Sequence, residues 1–127
     1  MVLLVFAVAL RMFRTRIGEM RANRIRPHEV ATSSQSAAKF QDTRAADNFR
    51  NLFEVPLLFF ALVAVALATK HTPQWLAVGA WLFVVLRVAH SYIQCTFNKV
   101  RYRFYVFAAA LMLLVALWVA FLVTLPA

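Results

Sequence analysis

Glycine, cysteine and acid are all scarce in this chain, and each scarcity excludes something. Only two of 127 residues are glycine, Gly18 and Gly79, so there is no glycine-rich loop to cradle a phosphate. Cys95 is the single cysteine, which excludes an internal disulfide and any Cys-x-x-Cys metal or redox pair. It reads as a small buried apolar residue. The three histidines, His28, His71 and His90, fall on different segments without His-x-x-x-His spacing, so no metal site is expected. Acids number five against fourteen Lys and Arg, a net charge of +9.

So basic a chain invites a nucleic-acid partner, but the placement of the charge argues against one. Nine of the fourteen basic residues lie between Arg11 and Arg50, and Lys99, Arg101 and Arg103 sit between the last two apolar runs. Basic segments beside membrane spans are what the positive-inside rule produces. A face that grips phosphates must also be free of membrane. Apolar residues make up 63% of the chain, which fits one all-α integral membrane domain covering residues 1–127.

At about 20 apolar residues per crossing, spans are expected near residues 51–69, 74–97 and 104–125. Residues 1–10 are apolar but are followed by Arg11, Arg14 and Arg16, so the first helix, running to about residue 24, has only half a span before charge begins. It lacks the cleavage site of a signal peptide, and it suggests an apolar beginning lost through a late start site. With it, the expected architecture is a four-helix bundle. A long loop of about residues 25–45 follows, in which 31–38 show no apolar period and read as a flexible surface segment. The helical pattern resumes near Gln41. The basic segments belong in the cytoplasm and the turn at 70–73 outside, which puts both termini outside; the expected membrane is the bacterial inner membrane, with an organelle membrane as the alternative. Trp75, just after the outer turn, reads as an interfacial anchor.

Charge interrupts two of these spans, and an ionisable group at bilayer depth has to face protein or water. Arg87, His90, Ser91, Gln94 and Asn98 recur at spacings of three and four and form one stripe. Asp47, Arg50, Asn51 and Glu54 do the same on the preceding helix, with Arg50 and Glu54 one turn apart. Arg103 follows Lys99 and Arg101 at the entry to the last helix. Three helices are therefore expected to aim polar groups at one cytoplasm-side cleft. Plainer roles exist for these residues: a buried Arg87–Glu54 pair that fixes packing, and lipid anchoring by Lys99 and Arg101.

Arg50-Asn51-Leu52-Phe53-Glu54 ahead of Pro56, then Arg87-Val88-Ala89-His90-Ser91, then Arg103 sixteen positions after Arg87, resembles the membrane-associated proteins in eicosanoid and glutathione metabolism, the MAPEG family. The resemblance implies a homotrimer of four-helix subunits with glutathione bound between subunits near the cytoplasmic face. It implies that Arg50, Asn51 and Glu54 contact the carboxylates and amino group of glutathione, with His90 and Gln94 nearby and Arg87 beside the site. Arg103 takes the position of the arginine that stabilises the thiolate, so it is the expected catalytic residue. The acceptor would be a lipophilic small molecule arriving from the bilayer.

The departures are specific. Gln94 stands where the synthases of the family carry tyrosine, Phe104 and Phe107 where they carry serine and tyrosine, and Asp47 where they carry arginine. These changes argue against the specific eicosanoid activities and leave a glutathione-dependent transferase or peroxidase as the expected function. Two other classes compete with it. One is a noncatalytic protein whose charge stripe binds lipid or stabilises assembly, and the other is a transporter subunit with Glu54 and Arg87 as a relay.

Overall fold

Every regular element in the computed structural model, which describes residues 1–125, is a helix. The last two residues of the expected 1–127 domain lie outside the described part. In chain order the elements are α1 (Val2–Ala22), a 3-10 turn (Pro27–Val30), α2 (Ser33–Lys39), α3 (Arg44–Asn51), α4 (Val55–Ala68), α5 (Gln74–Cys95) and α6 (Val100–Thr124). Three helical runs, Arg44–Ala68, Gln74–Cys95 and Val100–Thr124, are long and apolar enough to cross a membrane. At 21 residues α1 has the length, but Arg11, Arg14, Arg16 and Glu19 keep it out of that set.

The chain divides into two compact units, Met1–Arg50 and the part from Asn51 onward. In the first, the Glu19 carboxylate of α1 accepts the backbone N–H groups of Gln41 (2.8 Å) and Asp42 (2.9 Å) just ahead of α3. Arg16 lies over the Phe40 ring, 5.4 Å from its centroid. Asp42 receives a two-pronged bond from Arg44 at 2.9 and 2.8 Å, and this bond holds its carboxyl below the ordinary aspartate range.

The segment expected to be flexible is in part a helix. Thr32 caps α2 by accepting the Gln35 N–H, and the Gln35 side chain accepts the Thr32 N–H in return. This reciprocal box satisfies two otherwise orphaned donors, which the polar composition of the segment conceals. Ser36 Oγ adds a bond to the Val30 carbonyl at 3.0 Å.

In the second unit α5 packs along α6, and α4 also packs against α6. Phe59 stacks on Phe83 at 4.7 Å, while Phe83, Ala110, Leu114 and Phe121 are fully buried. Trp118 donates to the Leu58 carbonyl at 3.2 Å, so its polar atom serves packing. Gly79 marks the closest approach of α5 and α6: a Cβ there would run into Leu117 Cδ2 and sit 3.2 Å from Cδ1.

Two further expectations need correction. Arg50 and Glu54 do not share one helical face, because α3 stops at Asn51 and α4 starts at Val55, with Glu54 at φ −91 and ψ −92 between them. Pro56 supplies the reason, since its ring would clash with the Leu52 carbonyl of a continuous helix and it has no N–H to donate. Asn98 does not continue the α5 stripe. The helix ends at Cys95 and Asn98 takes φ 44, its N–H turning back to the Ile93 carbonyl at 2.8 Å.

Candidate functional site

The break before Pro56 shapes the site. Asn51, the last residue of α3, turns its side chain to α5, where Asn51 Nδ2 donates to Gln94 Oε1 at 3.2 Å. Glu54 is the N-cap residue of α4, yet its carboxylate caps nothing and stays exposed. At the same break, Arg87 Nη2 donates to the Asn51 carbonyl at 3.1 Å. That bond goes to backbone and not to Glu54, so in place of the buried ion pair that was the plainer alternative, the structure has a cation that holds a helix end.

Arg87 is wholly buried, and among the described residues its Nε and Nη1 have no hydrogen-bond partner. Its guanidinium lies 5.9 Å from the centroid of the Phe107 ring, a cation–π contact that stabilises part of the charge. A buried arginine with two unpartnered nitrogens is costly in an apolar span unless something supplies acceptors.

His90 and Gln94, one turn apart on α5, are buried together. His90 Nε2 lies 3.0 Å from Gln94 Oε1, and because that oxygen only accepts, Nε2 carries the hydrogen. Gln94 therefore receives two bonds and sets the tautomer of His90, whose Nδ1 makes no well-formed hydrogen bond among the described residues. On the far wall Arg103 Nη1 donates to Asn98 Oδ1 at 2.9 Å, so the residue that leaves the α5 stripe returns as the support of Arg103.

Asn51, Glu54, His90 and Arg103 line one cavity of about 240 Å³ with Val100, Phe104 and Phe107. Arg87 and Gln94 join it through their bonds to Asn51 and His90. Arg50 belongs to the first unit, where it lines a cleft of about 230 Å³ with Arg16, Phe40, Asp42 and Asp47. Phe104 and Phe107, which the sequence marks only as departures, are walls of the cavity. Their signal was legible: residues 100, 103, 104 and 107 lie on one helical face. Tyr92, Tyr102 and Tyr105 are exposed and none of them lines this cavity.

Apolar helices of spanning length around a buried cluster of arginine, histidine and amides define an integral membrane protein with a polar cavity in its helix bundle. The model of the MAPEG family matches residues 1–123, and the chain belongs to that family. No curated protein and no solved structure matches it.

Proposed function

We propose that this MAPEG protein is a glutathione-dependent transferase or peroxidase for lipophilic electrophiles or hydroperoxides. In this reading it is a single four-span domain working as a homotrimer in a bacterial inner membrane, its basic segments cytoplasmic and both termini outside. The observation that carries the reading is the meeting of Asn51, Glu54, His90 and Arg103 on one cavity. Glutathione brings two carboxylates, an ammonium and a thiol, so its recognition calls for cations, one acid and an amide. Arg87 and Arg103, Glu54 and Asn51 match that set. The unpartnered nitrogens of Arg87 favour a ligand rich in acceptors. A volume of about 240 Å³ falls below the roughly 300–1,000 Å³ of small-molecule sites, which fits a site completed by a neighbouring copy.

Arg103 is the proposed catalytic residue, oriented by Asn98. A guanidinium beside sulfur favours the thiolate and enlarges the nucleophile population. Phe104 and Phe107 offer the acceptor an apolar wall. The test is titration calorimetry with glutathione and turnover of a chlorinated nitrobenzene by the protein in detergent. Wild type is expected to release heat and turn over, and Arg103→Ala to keep binding while turnover drops roughly 100-fold. A second reading, a noncatalytic protein stabilised by its charge stripe, is favoured by the bond from Arg87 to the Asn51 carbonyl. No heat, no turnover and no effect of Arg103→Ala would leave that reading standing.

A further inference from the structure

A second cavity opens at the same end of the α5–α6 hairpin, on another face. It is lined by Ile93 of α5, Phe97 of the connecting turn, Lys99 at the N-cap of α6, and Tyr102 and Val106 of α6, with a volume of about 480 Å³. None of these residues lines the cavity that holds Arg103. On α6 the two sets lie over 100° apart at about 100° per residue, so the groove is a separate feature. Its walls are apolar except at the Lys99 end. The Lys99 ammonium lies 6.0 Å from the centroid of the Tyr102 ring, and among the described residues it has no hydrogen-bond or ion-pair partner.

Charge decides what fits. No acid follows Glu54 in the sequence, while Lys99, Arg101 and Arg103 crowd the first turn of α6, where the helix dipole already disfavours cations. An apolar groove ending in an unpaired ammonium beside a phenol calls for an apolar chain ending in an anion. We infer that the Ile93–Phe97–Val106 groove holds one acyl chain of an anionic phospholipid, whose phosphate is bound by Lys99 and Tyr102. Ordinary surface attraction would draw equally on Lys99 and Arg101. The groove singles out Lys99, because Arg101 lies outside it, over Tyr105 at 6.0 Å.

Native mass spectrometry of the purified protein, titrated with phosphatidylglycerol or with phosphatidylcholine of the same acyl chains, tests this. One phosphatidylglycerol per chain is expected to be retained in preference to phosphatidylcholine. Lys99→Gln should weaken retention about fivefold and Arg101→Gln less than twofold, though both remove one charge. Val106→Trp, which fills the groove and leaves the charge, should abolish retention. Equal retention of the two lipids, or equal losses from Lys99→Gln and Arg101→Gln, would overturn the site in favour of charge-blind or diffuse binding. Glutathione binding enters none of these measurements, so the proposed activity and the lipid site fail independently.

Discussion

Lys70 occupies the left-handed region at φ 56, and Arg24 and Asn98 do the same at φ 52 and 44. In each case the following or same residue sends its N–H back five residues: His71 to Ala66 at 3.1 Å, Ile25 to Met20 at 3.0 Å, Asn98 to Ile93 at 2.8 Å. Glycine usually takes the left-handed position at helix ends, because a Cβ there costs about 1–2 kcal/mol. A chain with two glycines puts other residues there instead. Lys70→Gly is therefore expected to stabilise the protein by about 0.5–1 kcal/mol once the greater chain entropy of glycine is subtracted. Thermal unfolding in detergent measures it, and a lowered midpoint would mean that the Lys70 side chain contributes more than its backbone strain costs. The same change at Asn98 would also remove the acceptor of Arg103, so the two positions are not equivalent. Gln94 shows the limit of residue-by-residue reading: in sequence it is a missing tyrosine, in the fold the shared acceptor of Asn51 and His90. One of those partners is forty-three residues away, beyond the reach of any local pattern.

At the scale of elements, helix boundaries followed hydrophobic period closely, with α5 starting at the expected Gln74 and α6 four residues ahead of the expected start. Failures came where one residue overrode the pattern. Pro56 cut the second span and undid the Arg50–Glu54 face, and the Thr32–Gln35 box built α2 from a segment with no apolar face. The contact of α5 with α6 depends on Gly79 in the same way. Gly79→Ala should destabilise the protein by about 1–3 kcal/mol, since Leu117 is buried and has little room to yield. Adding Leu117→Ala should offset part of that loss, so that the double variant is more stable than the sum of the single effects predicts. Strict additivity in a double-mutant cycle read by detergent unfolding would show that the two side chains do not compete for one space.

At the scale of the molecule, the balance of surface is inverted relative to a water-soluble protein. Leu3, Met112 and Val123 are 84%, 73% and 79% exposed, and many other large apolar side chains accompany them. Such faces are stable only against lipid or other copies of the chain. The proposed homotrimer predicts a protein mass in detergent, corrected for the bound micelle, of three chains, unchanged on dilution. A single-chain mass that still binds glutathione would sink the trimer and spare the site.

Helical structure, residence in a membrane and polar residues at spacings of three and four are already written in the order of the amino acids. Those properties follow from composition and from the helical period, which act over a few residues at a time. Tertiary structure decided which of these residues meet: that Arg87 holds the Asn51 carbonyl, that Asn98 supports Arg103, and that α6 has a cavity on each of two faces. The first depends on one proline breaking a helix and on two residues thirty-six apart in the chain, and the others on how the chain turns from α5 into α6 and packs there, where the placement of whole helices, and not local periodicity, sets the partners.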